Sequence, residues 1–352
     1  MVRVQRIIVP DTQERCWMLF NAYQPLIAPN QYLSYLHHLG RSPNTVRAYA
    51  HHLQAFSKFL GEENQDWTTL TLTELARFVA WLRRISSSNG KSRSNTTINT
   101  ILAAVGSFYE YQDRLGVETS ISRSRRFGVK SPYKPFLHHI GRNRPLPCAV
   151  MQVRATRRLP RVFSAQQVQA LLNACARQRD RLLVSLLYES GMRVGQLLGL
   201  RHADIRSYDG EIDIIPRANS NGALAKSRSP YTVHVSKELM ELYADYLVHE
   251  YQETTHDYVF VNWWSGRIGA PMTYSTVIDL FRKLSARASI HATPHMFRHT
   301  HATDLLRAGW DPAYVQRRLG HAQIQTTVNT YAHLSSGDLG KMFARYQKER
   351  AR

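Results

Sequence analysis

From Thr119 to Arg179 the chain carries thirteen Lys or Arg side chains and no Asp or Glu, and Pro132, Pro135, Pro145 and Pro147 forbid a long helix through the middle of this stretch. Charge of one sign broken by prolines reads as an extended basic linker, because a tail that merely solubilises seldom joins two patterned units. The 352 residues are therefore expected to form two domains, in line with roughly 100 to 200 residues per domain. Basic residues outnumber acidic ones across the whole chain as well, 46 against 26, for a formal net charge of +20. Such an excess points to a polyanionic partner, nucleic acid first. A membrane partner is disfavoured, since no apolar run approaches the ~20 residues needed to cross a bilayer. The start, MVRVQRIIVPDTQERC, has too short an apolar stretch for a signal peptide, so a cytoplasmic protein is expected.

On the amino-terminal side of the linker the apolar residues recur at helical spacing. Between Pro43 and Gly61 they are Val46, Tyr49, Ala50, Leu53, Phe56 and Leu60, closed by a glycine. A second helix follows with Leu75, Phe78, Val79 and Leu82 inward, and a third with Ile98, Ile101, Leu102, Val105 and Phe108 inward. With the weaker PNQYLSYLHHLG in front, they make a four-helix unit over residues 26–118, preceded by an extension, 1–25, and followed by the linker, 119–158. Cys16, Cys148 and Cys175 are odd in number and form no C-x-x-C pair, so they read as reduced, packed thiols.

The second domain, 159–352, opens at Ser164, a helix cap in front of Val168, Leu171 and Leu172. An apolar helix, DRLLVSLLYESG, leads to two β runs, EIDII and YTVHVS, then to another helix, a short YVFVN strand, and helices to the end. The expected class is mainly α with a small antiparallel β-sheet.

Cutting a phosphodiester needs a nucleophile, charge stabilisation in the transition state and a proton for the leaving oxygen. No D-x-D or paired Glu arrangement appears in this domain, and the polar side chains near apolar helices are Arg, His, Lys and Tyr. Arg193 follows Gly191 at the start of a short apolar helix, where a guanidinium can hold two phosphate oxygens at once. About a hundred residues on, Pro294 opens a helix whose first turns carry His295, Arg298 and His299. Positions 295 and 298 share a helix face. His295 and His299 also have the spacing of a zinc-binding helix, but Met296 stands where that motif needs Glu, and Arg298 adds positive charge beside the would-be metal. Asp311 and Pro312 then begin a helix that ends at Gly320, leaving His321 at a junction and Tyr331 ten residues later.

Taken in order, G-x-R at Arg193, H-x-x-R-H at His295 to His299, L-G-H at His321 and then Tyr331 resemble the catalytic signature of the tyrosine recombinase, or phage integrase, family. The N-T-V-R-A-Y helix and its neighbours look like that family's SAM-like core-binding domain. The resemblance implies a site-specific DNA recombinase. It assigns Arg193 and Arg298 as phosphate clamps, His321 as a further donor to a non-bridging oxygen, Tyr331 as nucleophile and His295 as the group assisting proton removal from the tyrosine, whose free pKa is ~10. A lysine of the β-hairpin is expected to protonate the departing 5′ oxygen, and Lys226 is the candidate, seven residues before Val233 in a hairpin without the usual flanking glycine. Gln196 stands where the family often carries an acidic residue.

The cycle so implied uses no cofactor and no metal: a 3′-phosphotyrosyl bond stores the energy, and a 5′ hydroxyl reverses it. The partner is double-stranded DNA, contacted by Arg123, Arg125, Arg126 and Lys130 of the linker, with four copies of the chain, a homotetramer, around two synapsed sites. Leu339, Met342, Phe343 and Tyr346 form a last apolar stripe that could pack on a neighbouring copy. Tyr314 and Tyr346 read as packing residues, and His299 and His301 as structural or DNA-facing. A type IB topoisomerase shares most of this cation set, and a DNA-binding protein without catalysis shares the charge; the domain in front and the tail behind Tyr331 favour recombination over the first, the complete residue set over the second.

Overall fold

The computed structural model describes residues 1–8, 14–84, 92–121, 124–125, 146–147, 151–155, 160–225, 229–320 and 347. They fall into two compact units, Met1–Arg157 and Arg158–Arg352. Among the described residues no helix is long and apolar enough to cross a membrane.

The first unit begins with a hairpin. β1 (Val2–Ile8) runs antiparallel to β2 (Arg15–Asn21), and the two-residue β3 (Gln24–Pro25) extends the sheet. The residues expected to be an extension thus contribute Val2 and Leu19 to the core of the helical unit. Helices α1 (Ile27–His38), α2 (Pro43–Glu62), α3 (Leu72–Arg84) and α4 (Asn95–Arg114) follow. Ser42 and Ser94 cap α2 and α4 by accepting from the backbone N–H three residues on. Every inward position read from the helical spacing of α3 and α4 is buried, and Phe59 and Trp81 join them. Asn30 fastens the sheet to α1, taking the Leu19 N–H at 2.8 Å and giving its amide to the Leu19 carbonyl at 2.9 Å.

The far end of the expected linker also belongs to this unit. Met151 and Val153 pack against its core, and Asn99 on α4 holds the Val153 backbone through both amide atoms, each at 2.8 Å. Ser124–Arg125 and Leu146–Pro147 pair as two short antiparallel strands, β4 and β5.

The second unit is built around α6 (Gln178–Ser190), whose Leu182, Leu183, Val184, Leu186 and Leu187 are all buried. In front stands α5 (Ala165–Asn173), with a capping box between Ser164 and Gln167. After α6 come α7 (Val194–Leu197) and a sheet of order β6 (Ile205–Arg206), β7 (Glu211–Ile214), β8 (Tyr231–His234), all antiparallel. Arg206 on β6 pairs with Glu211 and Asp213 on β7 across this sheet. Helices α8 (Lys237–His249), α9 (Tyr274–Ala288), α10 (Pro294–Arg307) and α11 (Pro312–Leu319) complete the described unit.

Two expectations fail here. The YVFVN run forms only isolated bridges, Arg201 with Tyr258 and Val261 with Pro271. Tyr258, Val259, Phe260 and Val261 are buried in succession rather than alternately, so the run is a covered connection and not the edge of a half-buried sheet. Tyr314, read as a packing residue, is 66% exposed. α11 is short and buries only Val315 and Leu319, one turn apart, which leaves Tyr314 on the outer face.

Candidate active site

Gly191 ends α6 in the left-handed conformation, with φ of 64°. No other residue fits there, since a Cβ would lie 2.6 Å from the His301 ring and 2.7 Å from Leu319. The turn it makes brings Arg193 to the N-cap of α7 with an extended backbone, and the Gln196 side-chain oxygen accepts the Arg193 N–H at 2.8 Å. The Arg193 side chain then reaches the carbonyl of Gly320 at 3.5 Å. Among the described residues no carboxylate lies within ion-pair distance of Arg193, and burial lowers its pKa from the ordinary value. A partly desolvated guanidinium is poised to gain from a bound anion.

Arg298 is held more firmly. Pro294 starts α10, and one turn on, the Arg298 guanidinium, 3% exposed, donates to the Gly191 carbonyl at 2.7 Å and to the Leu319 carbonyl at 2.8 Å. Those carbonyls belong to the C-terminal ends of α6 and α11, the negative ends of two helix dipoles, which favour a buried cation. His295 is exposed, and its ring stacks on that of His299 with centroids 5.9 Å apart. His299 is pushed toward the neutral form, first by burial and then by His295 and Arg298.

Three residues outside the expected set complete the frame. Arg318 on α11 donates to His301 Nε2 at 3.1 Å and to the carbonyls of Glu189 at 3.0 Å and His234 at 2.8 Å. Burial, then the charges of Arg318 and Arg298, drive the His301 pKa down to about 3. His301 therefore acts here as a neutral acceptor, matching its structural reading. Tyr231, at the start of β8, takes a hydrogen bond from the Gln196 amide at 2.9 Å and lies against Gly320, where a Cβ would meet its ring at 2.9 Å. Gly320 itself closes α11 with φ of 61°. The hairpin pattern alone placed Tyr231 in a strand and gave no sign that it faced the arginines.

Arg193, Arg298 and the end of α11 thus converge. Lys226, His321 and Tyr331, the linker residues Arg123, Arg126 and Lys130, and the tail residues Leu339, Met342, Phe343 and Tyr346 lie outside the described residues, as do Cys148 and His333. Arg125 is placed only as a backbone position in β4. Among the described residues, the single group of three side chains able to offer ligand atoms to one metal ion is Glu14, Cys16 and His37, in the first unit.

Comparison with known proteins decides the family. The phage integrase family model matches residues 161–337, and the model of the phage integrase N-terminal SAM-like domain matches 30–115. Transposase A from transposon Tn554 of Staphylococcus aureus (strain N315) is 41% identical over 355 residues, covering 98% of each chain. The chain belongs to the phage integrase family. Tyrosine recombinase XerD of Halalkalibacterium halodurans is 28% identical over 317 residues, 87% of this chain and 92% of that one. The fold is shared with the Tn1549 transposon integrase in complex with transposon right-end DNA, at a TM-score of 0.62 and 17% identity over 93% of this chain and 99% of the other. It is shared also with the XerH site-specific recombinase bound to palindromic difH substrate, at 0.60 and 20% over 88% and 81%. This phage integrase family member is a site-specific DNA recombinase, which cleaves and rejoins DNA strands through a tyrosine.

Proposed function

We propose that this chain moves a DNA element between sites by forming a 3′-phosphotyrosyl bond through Tyr331. The observation that carries this reading is the convergence of Arg193 and Arg298, about a hundred residues apart in sequence, on the Leu319 and Gly320 carbonyls that immediately precede His321. Two fixed guanidinium donors there would bind the non-bridging oxygens of one phosphate, and a transition state with more charge on those oxygens than the ground state would gain most. His321 adds a donor to the same oxygens. Tyr331 attacks the phosphorus, and His295, exposed at the start of α10, assists loss of the phenol proton. Lys226 protonates the departing 5′ oxygen. Attack by a 5′ hydroxyl on the phosphotyrosine then runs the same path backwards and joins the strand.

The donors of this site are cations and neutral hydrogen-bond groups, a set that repels a divalent metal and replaces its electrostatic function. Strand exchange is therefore expected to proceed in excess EDTA; loss on chelation with recovery on adding Mg²⁺ or Zn²⁺ would overturn it. Two duplexes held by four copies of the chain give two rounds of exchange, and the tail behind Tyr331 supplies a stripe for packing one copy on the next. The likeness to transposase A from transposon Tn554 supports a transposon end as the DNA partner. The reaction takes place in the cytoplasm, on nucleoid DNA.

The linker residues Arg123, Arg125, Arg126 and Lys130 serve the phosphate backbone. Neutralising all four should weaken binding to every DNA sequence and reduce the slope of log affinity against log salt by up to ~0.9 for each phosphate no longer neutralised. A change confined to one sequence would make them base readers instead.

A further inference from the structure

Gln196 is 3% exposed and uses both ends of its amide: the oxygen takes the Arg193 N–H at 2.8 Å and the nitrogen donates to the Tyr231 hydroxyl at 2.9 Å. Tyr231 in turn fills the space over Gly320, whose carbonyl Arg193 reaches at 3.5 Å. The contacts close a ring: Arg193 backbone to Gln196, Gln196 to Tyr231, Tyr231 ring to Gly320, Gly320 carbonyl to the Arg193 side chain. Tyr231 is also anchored from behind, because it pairs with Ile214 in the sheet. We propose that Tyr231 and Gln196 are positioning residues that fix the distance between the Arg193 guanidinium and the end of α11, and so set the grip on the scissile phosphate.

The chemistry of the pair supports a relay rather than simple packing. A buried amide whose donor and acceptor are each assigned has one orientation, and removing the tyrosine hydroxyl leaves its N–H groups short of a partner. The amide then gains an incentive to turn, and the Arg193 cap turns with it. Displacement of a catalytic group by about 1 Å costs up to roughly a hundredfold in rate. Tyr231→Phe keeps the ring over Gly320 and removes only the hydroxyl. Gln196→Glu keeps an acceptor for the Arg193 N–H and can accept from the Tyr231 hydroxyl, with the second bond reversed. Gln196→Leu removes both.

The inference rests on Arg193 contacting the phosphate, and the test separates the two. Full-length wild type, Tyr231→Phe, Gln196→Leu, Gln196→Glu and an Arg193→Ala control are compared for thermal stability, DNA binding and rate of covalent adduct formation. One nicked substrate has a normal scissile phosphate and a second an uncharged methylphosphonate there. A guanidinium that neutralises phosphate charge matters less on the neutral substrate, so the Arg193→Ala defect should shrink on it. Tyr231→Phe and Gln196→Leu should bind DNA within about threefold of wild type. They should lose roughly tenfold to a hundredfold in adduct formation on the phosphate and largely recover on the methylphosphonate. Gln196→Glu should stay within several-fold, and a Tyr231→Phe, Gln196→Leu double variant should be no slower than the worse of those two single ones. If Arg193→Ala recovers while Tyr231→Phe is equally slow on both substrates, or not slow at all, the relay is wrong. If Arg193→Ala itself shows the same defect on both, the phosphate-clamp reading falls and this proposal with it.

Discussion

Arg298 donates to the Leu319 carbonyl at 2.8 Å across 21 residues of chain, so the residue expected to grip phosphate also holds the helix end that precedes His321. Its other terminal nitrogen holds the carbonyl of Gly191, just ahead of Arg193, at 2.7 Å. One guanidinium thus fixes both sides of the site, which is a task a single ammonium cannot perform with the same geometry.

Arg298→Lys should keep the charge and lose this two-way span. Cleavage should fall by a factor on the order of 10² to 10³, while binding to duplex DNA changes little, because binding is dominated by many backbone contacts elsewhere. The check is adduct formation on a nicked substrate beside a gel-shift titration. A variant that cleaves at near the wild-type rate would remove Arg298 from the chemistry.

His301 gives a pH prediction with a definite sign. Its pKa in the folded chain is about 3, against an ordinary 6.5, because burial and the charges of Arg318 and Arg298 oppose protonation, while the hydrogen bond to the Tyr188 backbone works weakly the other way. Between those values the unfolded chain binds a proton that the folded chain does not. The stabilisation is complete above pH 6.5 and is lost as pH falls from there toward about 3. His301→Gln keeps an acceptor for Arg318 and does not titrate, so its Tm should decline less steeply than that of wild type below pH 6.5. Some slope remains in both proteins, since His52, His202 and His299 are lowered by burial as well. Parallel Tm curves for the two proteins would contradict the assignment.

Asn30 tests the first unit separately from the chemistry. Its side chain takes the Leu19 N–H and donates to the Leu19 carbonyl, and Leu19 is fully buried. Asn30→Ala should destabilise this unit by about 1 to 3 kcal/mol through the orphaned backbone N–H. Urea unfolding should show an earlier transition, with the cleavage rate unchanged at a temperature where both proteins are folded.

The helix boundaries around Arg193 and Arg298 were more legible in the sequence than the frame that holds those residues. Arg193, Arg298 and the capping residues Pro294, Asp311 and Gly320 were legible because helix starts and stops have local signals, and the structure places each where its signal put it. Val46, Leu53, Phe56 and the inward residues of α3 and α4 followed from periodicity alone. The hairpin of residues 2–21 did not, because VRVQRII buries Val2 and half-buries Val4 only after docking on helices that the strand pattern itself does not contain. Tyr231, Arg318 and Asn99 were illegible for a related reason. Each acts by reaching a backbone atom or an amide far along the chain, and no local spacing encodes such a partner. Tyr314 was misread because one aromatic at helical spacing was given the core side of a helix that buries only two residues.

The most direct test of the account is to identify the residue joined to DNA. A nicked or phosphorothiolate substrate carrying one recombination site should trap a covalent complex in excess EDTA, and mass spectrometry of the digested complex should place a 3′-phosphonucleotide on the peptide containing Tyr331. Tyr331→Phe should bind the same DNA and form no adduct. An adduct on any other residue, such as the exposed Tyr314, or an adduct that persists in Tyr331→Phe or requires a divalent metal, would contradict the account.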